Sequence, residues 1–489
     1  MTVFKFLSNY NSYLVGGAIR DLFLKKKITD IDIVIVANII DFKKIIKQLS
    51  KKYLLFPLDR ERNIYRIMIG NKTIDITNAS SLVDDLKKRD FTINSLAAKI
   101  TDTKIKIKKE HFSIKIPRNK IIDNFNAIKD IENKRLVAIS ETSLILDPLR
   151  ILRAYRFFAT DEFKITKNLK KQIIKNKEKI HISSKERIRE ELIKIFKSDN
   201  TYATIKEMAQ SEILFEIFPK LKEQINCATI YYGKGGVFKH TLNVIKRLDM
   251  FFKKPRFFLE IPKNLNEKIQ KEKYLIKLSA LLHDISKPQT QRIINKRLRF
   301  FGHERKGAEV SEKILREYRF SNDEIKYIKT VISSHLRIGN IAHNENITNK
   351  AILRIFYDLK EYSLGNIILS WADYSSHISE KKLITMVEKV KEKPFKIRKP
   401  LPKTGIKKTL RFLQVVNLIV KSYDEYQKKA NIKPIIDGYT VMRTLKIPPS
   451  KLVGIILKKL INLQLENKIT TRKEALNYIK SLKIDKLRL

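Results

Sequence analysis

The chain has 489 residues, and its 102 lysines and arginines exceed its 52 aspartates and glutamates by 50. This length corresponds to about three domains, and a hydrophobic fraction of 43% can supply several cores. A single cysteine, Cys227, excludes a disulfide framework and any site built only from thiolates. No N-terminal apolar segment fits a signal peptide, and no uncharged run reaches the roughly 18 residues of a membrane span. We therefore expect a cytoplasmic, multidomain protein that does not bind membranes.

The excess of positive charge has two explanations. Lysine and arginine neutralise phosphates and release counterions, so a polyanionic partner such as nucleic acid would account for it. A general compositional bias towards Lys, Ile and Asn would also account for it, because these residues are enriched in nearly every segment. Composition cannot place a basic face, so both explanations stay open.

The first hundred residues alternate between strand and helix signals, and helical periodicity dominates from Asp123 onward. This order predicts an α+β fold, with a small head that contains a mixed or antiparallel sheet and an all-helical remainder. The strands are expected at 13–15, 31–36, 53–56, 64–69 and 73–77, and the helices of the head at 18–23 and 41–49.

Two carboxylates lie two residues apart in the second predicted strand. A strand has a period of two, so Asp30 and Asp32 lie on one face while Ile31 and Ile33 turn towards the core. Convergent carboxylates suit Mg²⁺ and triphosphate chemistry. Upstream, Gly16 and Gly17 separate a strand from a helix, and free backbone N–H groups there would cradle phosphate. Arg20 adds a cation one turn later, and Asp75 either completes the carboxylate cluster or is a solvated residue at a strand end.

Four segments together resemble the bacterial family of tRNA nucleotidyltransferases and poly(A) polymerases. Residues 14–21 with 30–32 are similar to the head motif of that family, and residues 88–94 to the motif that recognises ribose and triphosphate. Residues 147–157 resemble the motif in which an Asp and an Arg form a protein template for the base. Residues 186–194 resemble the helical motif that closes the catalytic core.

This resemblance implies transfer of CMP or AMP from CTP or ATP to the 3′ end of tRNA. It implies catalytic residues Asp30 and Asp32, which would hold Mg²⁺. The expected nucleotide-binding residues are Gly16, Gly17, Arg20, Arg89, Asp90, Asn94, Asp147, Arg150, Arg153 and Arg156. Asp147 accepts and Arg150 donates, and their spacing of three predicts that both lie on one helix face. Arg153 and Arg156 continue that face and either contact phosphate or form a solvated basic stripe.

Two departures from the family pattern bear on the product. Leu146 stands where the family usually has an acidic residue before the template Asp. The connection at 78–87 is short, whereas enzymes that add the complete CCA end usually carry a longer flexible loop there. The short loop is closer to the subgroup that adds two cytidines. Addition of the final adenosine, a poly(A) polymerase, and a hydrolase or RNA-binding protein with a non-catalytic head remain open.

A second group of residues has the spacing of a metal site. His283 and Asp284 follow an apolar helix, His240 stands upstream and Asp373 downstream, and imidazole with carboxylate suits a divalent metal. Their order resembles the HD phosphohydrolase superfamily, whose binuclear members have two further ligands matched here by His303 and His335. The resemblance implies a phosphohydrolase that uses Mg²⁺, Mn²⁺, Ni²⁺ or Fe²⁺. The alternative is a set of satisfied core histidines.

We expect four domains. These are a nucleotidyltransferase head at 1–122, a helical neck with the template motif at 123–225, a helical HD domain at 226–395 and a helical tRNA-binding tail at 396–489. Residues 396–407, with their prolines and basic residues, resemble a linker. In the tail, two amphipathic helices are predicted, and Thr471 with Glu474 forms a capping box. A helical packing element without RNA contact is the alternative for the tail.

Overall fold

The computed structural model describes residues 2–59, 61–344, 347–392, 406–421, 423–430, 433–465 and 468–482. The chain forms two compact units, Met1–Pro219 and Lys220–Leu489. Within the described ranges, every helix is too short or too polar to cross a membrane.

The first unit contains a seven-stranded sheet with the order β3-β4-β5-β2-β1-β6-β9, in which β2 and β5 are parallel and all other neighbours are antiparallel. The predicted mixed sheet is therefore confirmed. The strands of this unit are β1 (Ser12–Val15), β2 (Asp30–Val36), β3 (Leu55–Asp59), β4 (Ile64–Ile69), β5 (Lys72–Ala79), β6 (Leu96–Lys99), β7 (Lys104–Ile107), β8 (Phe112–Lys115), β9 (Ile121–Asp123), β10 (Arg135–Leu136) and β11 (Lys164–Ile165).

Helices flank the sheet and make up most of the unit after β9, as expected. They are α1 (Val3–Leu7), α2 (Gly17–Phe23), α3 (Ile39–Ser50), α4 (Leu82–Lys87), α5 (Ala127–Glu132), α6 (Ser143–Leu146), α7 (Arg150–Asp161), α8 (Lys167–Asn176), α9 (Lys185–Lys197), α10 (Thr201–Gln210) and α11 (Ile213–Ile217).

Strand β2 positions the acidic pair because its two faces differ. Ile31 and Ile33 are fully buried, whereas Asp30 is exposed and Asp32 is half-buried on the opposite face. The strand alternates as predicted, and the apolar face anchors the register of the polar one.

The segment around Asp147 departs from the prediction. Asp147 has extended backbone angles (φ −143°, ψ 95°) and ends helix α6, whereas Arg150 begins helix α7. The two residues therefore do not lie on one helix face. The cause is Pro148, since the residue before a proline is disfavoured in the helical region.

The second unit is almost entirely helical. Its helices are α12 (Lys220–Glu223), α13 (Thr229–Tyr232), α14 (Gly236–Lys253), α15 (Pro255–Phe258), α16 (Asn266–Leu282), α17 (Lys287–Thr290), α18 (His303–Glu317), α19 (Asn322–Ser334), α20 (Arg337–His343), α21 (Asn349–Leu359), α22 (Ser363–Ser375), α23 (Glu380–Glu392), α24 (Ile406–Lys421), α25 (Tyr423–Ala430), α26 (Gly438–Leu445), α27 (Lys451–Leu465) and α28 (Arg472–Lys480). Strands β12 (Arg292–Ile294) and β13 (Arg297–Arg299) form a separate antiparallel hairpin.

The core of this unit lies around α22, whose residues from Ser363 to Ala372 are all buried. Trp371 of this helix packs against Phe251 and Phe258, with ring centroids 5.3 Å apart in both cases. Such a helix, apolar on all sides, must be enclosed by its neighbours. It carries Asp373 at its end and thereby fixes this carboxylate inside the unit.

The last three helices, α26–α28, share a small core of their own that includes Val441, Ile456 and Ile479. The two predicted amphipathic helices are present as α27 and α28, and the capping box of Thr471 and Glu474 is confirmed. Most of the predicted linker at 396–407 lies outside the described residues.

Candidate functional sites

The carboxylates of Asp30 and Asp32 project from the same face of β2. Asp30 accepts hydrogen bonds from the hydroxyls of Thr73 (2.6 Å) and Thr29 (3.0 Å). Asp75 lies opposite Asp32 in the register of β2 and β5, so the structure brings the third acid to this face. Both oxygens of Asp75 accept hydrogen bonds from Arg66, each at 2.7 Å.

The surroundings of Asp32 favour an added positive charge. Burial raises the pKa of Asp32, and the nearby carboxylates of Asp75, Asp85 and Asp30 raise it further, while Arg89 opposes them. Mutually repelling carboxylates that share one strand face form an oxygen donor set suited to Mg²⁺. The residues present therefore fit the expected metal.

Gly16 permits a close approach that other residues would block. It has a φ of +75°, and a Cβ added there would lie 2.1 Å from Nη1 of Arg89 and 3.3 Å from Oδ2 of Asp32. Only glycine satisfies both conditions without strain. The Gly16 N–H donates to the carbonyl of Leu96 at 2.9 Å, which corrects the expectation that this amide is free for phosphate. Gly17 begins helix α2, beside the guanidinium of Arg20.

Arg20 and Arg89 are held by neighbouring acids and by Asn94. Arg20 donates to Asp21 (2.9 and 2.8 Å) and to Oδ1 of Asn94. Arg89 donates to Asp85 (3.1 and 2.9 Å) and to the carbonyl of Asn94 (3.3 Å). The fixed guanidinium groups keep positive charge beside the acidic pair.

Asp90 is buried and connects this network to helix α7. It accepts hydrogen bonds from Nδ2 of Asn94 (2.7 Å), from the Phe91 N–H (2.8 Å) and from Nε of Arg153 (2.8 Å). Arg156 forms an ion pair with Glu191 at 2.8 Å, and Arg153 lies 3.9 Å from the same carboxylate. The two arginines are thus paired and partly buried, which does not fit the alternative of a solvated stripe.

A cavity of about 890 Å³ contains the expected base-reading residues. Asp147 accepts from Arg187 at 2.8 Å and from the Leu149 N–H at 3.2 Å. Arg150 donates through Nη1 to the carbonyl of Arg89 (3.1 Å) and to the hydroxyl of Ser143 (2.8 Å). The cavity is lined by Arg62, Ile64, Thr77, Asn78, Ala79, Ser80, Asp84, Asp85, Lys88, Arg89, Leu146, Asp147, Pro148, Arg150, Ile182, Ser183, Ser184 and Arg187.

Sequence reasoning left Arg187 out of the nucleotide-binding set. Its guanidinium nevertheless faces Asp147 across the cavity, from the first turn of α9. The position of Arg187 in the fourth motif was the available signal. Its pairing with a residue forty positions earlier depends on how α9 packs.

In the second unit, the four residues of the predicted metal site come together with His303 and His335, the two further ligands that the HD resemblance implied. Asp284 lies at the centre. Its Oδ2 is 3.6 Å from Nε2 of His240 and 3.2 Å from Nε2 of His283, and its Oδ1 is 3.5 Å from Nε2 of His303. His240 also contacts Oδ1 of Asp373 at 3.0 Å. His335 joins through Asp284 and His303, since potential ligand atoms of these three residues lie within 4.8 Å of one another.

Three of the histidines are oriented in the same way. Nδ1 of His283, His303 and His335 lies 2.8, 2.6 and 2.7 Å from the carbonyl three residues earlier. A carbonyl only accepts, so Nδ1 carries a proton and Nε2 is the ring nitrogen left to contact a metal. This orientation through a backbone carbonyl is typical of metal-binding histidines.

Several buried polar atoms at this site lack hydrogen bonds of acceptable geometry. They include Nε2 of His283, Nε2 of His303 and Oδ1 of Asp284. Unpaired buried donors and acceptors are costly, and a metal ion would satisfy all three. Burial lowers the pKa of His335 to about 4, so this imidazole is neutral and able to coordinate. The residues therefore fit a divalent metal.

Two further residues border the metal-ligand set. Lys287 approaches Oδ2 of Asp284 at 2.6 Å and donates to the hydroxyl of Tyr232 at 3.1 Å. His377, which the sequence interpretation missed, stacks on His240 with ring centroids 5.0 Å apart and belongs to a possible ligand group with His240 and Asp373. Its position four residues after Asp373 was the available signal.

Three family models match the chain. A poly A polymerase head domain matches residues 12–137, a probable RNA and SrmB-binding site of polymerase A matches residues 162–225, and an HD domain matches residues 237–377. The first unit therefore carries the head and RNA-binding regions that the polymerase A models describe, and the second unit carries an HD domain. The resemblance seen in the motifs is thereby confirmed.

Individual relatives and structures are similar over long stretches. A CC-adding tRNA nucleotidyltransferase of Thermus thermophilus is 24% identical, with 96% of this chain and 94% of the relative covered. An A-adding tRNA nucleotidyltransferase of Deinococcus radiodurans is 26% identical, over 58% of this chain and 59% of the relative. The structure of the Thermotoga maritima CCA-adding enzyme complexed with tRNA has a TM-score of 0.56 at 20% identity, with 97% of this chain and 92% of that chain covered. The fold is therefore that of CCA-adding enzymes.

Proposed function

We propose that the first unit is a template-independent nucleotidyltransferase that adds CMP from CTP to the 3′ end of tRNA. The observation that carries the proposal is the acidic pair of β2 beside Arg89, next to a cavity that contains Asp147, Arg150 and Arg187. Asp30 and Asp32 would hold Mg²⁺, which when bound supplies positive charge for the α-phosphate and the leaving pyrophosphate.

The residues of this chain would position the substrates. Arg20 and Arg89 would hold the triphosphate, and Asp147 would accept from the base while Arg150 and Arg187 donate to it. The terminal 3′ oxygen of the RNA attacks the α-phosphorus, the bond to the β-phosphate oxygen breaks, and pyrophosphate leaves with its electron pair. The hydroxyl proton is released to solvent, since the face that carries Asp30 is open to water.

We further propose that the product ends in CC. Only Ser80 and Ser81 separate β5 from α4, so this connection, which the structure describes in full, is too short for a long flexible loop. The Thermus thermophilus relative, which spans nearly the whole chain, is a CC-adding enzyme, and so is a Synechocystis relative that covers 96% of this chain at 21% identity.

Three tRNA transcripts test this product. They end before the first C, before the second C, or before A, and each is offered CTP or ATP. We expect the first two to be extended with CTP to CC and the third to remain unextended. Incorporation of AMP on the third transcript would contradict the CC proposal. Long ATP-fed tails on unrelated RNA would instead establish a poly(A) polymerase, which the comparisons do not favour.

For the second unit we propose a metal-dependent phosphohydrolase. The gathered histidines, their common orientation and the unpaired buried atoms support this activity. His240, His283, Asp284, His303, His335 and Asp373 would hold one or two divalent ions, which supply an acidified water when bound. Purified protein stripped with chelator should hydrolyse a phosphomonoester only after Mg²⁺, Mn²⁺, Ni²⁺ or Fe²⁺ is restored. Activity that resists chelation would count against the proposal.

The remaining assignments complete the proposal. The head, neck, HD domain and tail keep the boundaries given above. Arg153 and Arg156, which form ion pairs with Asp90 and Glu191, remain in the proposed nucleotide-binding set. The tail would contact the tRNA backbone, and the protein would act in the cytoplasm, where tRNA ends are completed. Removing residues 433–489 should weaken tRNA binding more than CTP binding.

A further inference from the structure

The hairpin of β12 and β13 places like charges opposite each other. Arg292 pairs with Arg299 across the strands, and Ile294 pairs with Arg297. Directly opposed like charges destabilise a two-stranded ribbon. The segment from 292 to 299 has four cationic residues and no acidic one. In the described part of the chain, none of the four has an acidic partner within ion-pair distance.

The orientation of the hairpin exposes this charge. Leu298 packs with Phe300 against a small core that includes Cys227 and Val237. Because side chains alternate along a strand, the face that carries Arg292, Arg297 and Arg299 points away from this core, and all three are exposed. The hairpin is also held in place, since the Leu298 N–H donates to the hydroxyl of Tyr231 at 3.3 Å.

The turn of the hairpin carries a fourth cation at a strained position. Asn295 and Lys296 have φ values of 49° and 57°. A two-residue turn of this kind favours glycine at its second position, so a lysine there costs stability. The strain and the opposed arginines both indicate a role other than folding.

Apolar side chains lie exposed beside these charges. Tyr231 is 58% exposed and Phe301 is 68% exposed. Aromatic rings next to a basic track are typical of surfaces that bind single-stranded nucleic acid, because bases stack on the rings while cations contact phosphates. The hairpin also leads directly to the possible metal-ligand set. Phe300 follows the last residue of β13, and its carbonyl oxygen accepts a hydrogen bond from Nδ1 of His303.

We propose that this hairpin, residues 292–299, binds the backbone of a single-stranded RNA end and directs its terminal phosphate to the site around Asp284. The substrate of the second unit is then a phosphorylated RNA terminus and not a free nucleotide. The choice of substrate rests on the proposed phosphohydrolase function, whereas the binding of RNA does not. Contacts to phosphate would position the strand without reading its sequence.

Kinetics with two substrates test the proposal. The variant Arg292→Ala/Arg297→Ala/Arg299→Ala is compared with the wild type on a short RNA that ends in a 3′-phosphate and on p-nitrophenyl phosphate. We expect its KM for the RNA to rise about tenfold or more, because three phosphate contacts are lost, with no change for the small substrate. Equal losses on both substrates, or none on the RNA, would overturn the proposal. The control Lys381→Ala/Lys382→Ala/Lys389→Ala removes the same charge from the exposed side of α23.

A second variant separates binding from folding. Lys296→Gly should preserve or raise the melting temperature, because it relieves the turn, yet weaken RNA binding by roughly two- to threefold. Unchanged RNA affinity with raised stability would contradict the proposal.

Photocrosslinking covers the case in which neither substrate is hydrolysed. The same RNA, with 4-thiouridine near its end, should crosslink to residues 292–301 in the wild type even without hydrolysis. Absence of hydrolysis would then refute only the phosphohydrolase, whereas crosslinks elsewhere alone would refute the hairpin site. Binding of the hairpin to phosphatidylglycerol vesicles in preference to RNA would also overturn it.

Discussion

The two sites in this chain are built on opposite principles. The acidic pair of the first unit stands on an open strand face, where Asp30 is exposed and the arginines arrive from other elements. The possible metal-ligand set of the second unit is enclosed, and three of its four histidines are oriented by the backbone carbonyl three residues earlier. On the functions proposed above, the first site must admit a nucleotide and an RNA end together, whereas the second must hold divalent ions and admit only a terminal phosphate.

This difference predicts whether substitutions at each site should affect mainly catalysis or also stability. On the open face, the negative charge of the carboxylates is balanced by guanidinium groups that can also contact a substrate. Substitutions there should therefore affect catalysis more than folding. In the enclosed site, a bound metal ion would satisfy the unpaired atoms and so stabilise the folded state, and changes there should affect stability as well. Substitutions at the two sites can therefore confirm or refute the contrast.

The largest effect is expected for Asp32→Ala. Loss of a carboxylate that holds positive charge should lower CMP addition by roughly a thousandfold or more, since such stabilisation is worth several kcal/mol. Single-turnover incorporation of CMP into tRNA measures this loss, and thermal unfolding should be nearly unchanged. Asp59→Ala, also in the sheet, provides a control, and unimpaired addition by Asp32→Ala would refute the assigned site.

Next in size is Gly16→Ala. A Cβ at this position would strike Arg89, so the guanidinium must move from Asp32 and CMP addition should fall about a hundredfold. Gly70→Ala is a matched control, because Gly70 also has a positive φ (+63°) but only Nζ of Lys72 lies near, at 4.0 Å. Equal losses in both variants would show that backbone strain, and not the contact with Arg89, is responsible.

A smaller effect concerns the stability of the second unit. A divalent ion at a hundred times its Kd should raise the free energy of unfolding by about 2.7 kcal/mol. Thermal unfolding with Mn²⁺ and with chelator measures this increment, which His283→Ala should abolish. His181→Ala, at a histidine in the first unit, should retain it. An increment that survives His283→Ala would place the ion elsewhere.

The smallest effect is expected for Arg187→Ala. Its loss leaves Asp147 without its ion-pair partner in the cavity, and the KM for CTP should rise about tenfold with little change in kcat. Arg187→Lys should recover part of the affinity, since the charge remains without the planar fork. An effect on kcat alone would indicate a role in the chemical step.

Local patterns predicted much of the fold. Strand β2 and its buried isoleucines follow from a period of two, and the capping box at Thr471 follows from a local pairing of side chain and backbone. The residues that gather around Asp284 were also predicted before folding, because few histidines occur and their order along the chain resembles that of the HD superfamily.

Other features were wrong or missed for identifiable reasons. The amide of Gly16 donates a hydrogen bond to the carbonyl of Leu96, whose strand pairs with β1 only in the folded sheet. Asp147 leaves the helical face because of Pro148, a signal that the sequence contained but that was not weighed. The pairing of Asp147 with Arg187 could not be read from spacing, because it depends on the packing of distant helices.

The sequence thus determined which chemical groups each site contains, because the carboxylates, imidazoles and glycines stand at fixed positions along their strands and helices. The tertiary structure decided which charges face each other. It places Asp32 next to Asp75 in neighbouring strands and lets Arg153 donate a hydrogen bond to Asp90. It also places three arginines of one hairpin on the same exposed face. Part of the +50 charge is therefore used within the fold and part is presented outward. Side-chain partners far apart in sequence meet only when sheets and helices pack, whereas residue chemistry and local periodicity are present in the chain itself.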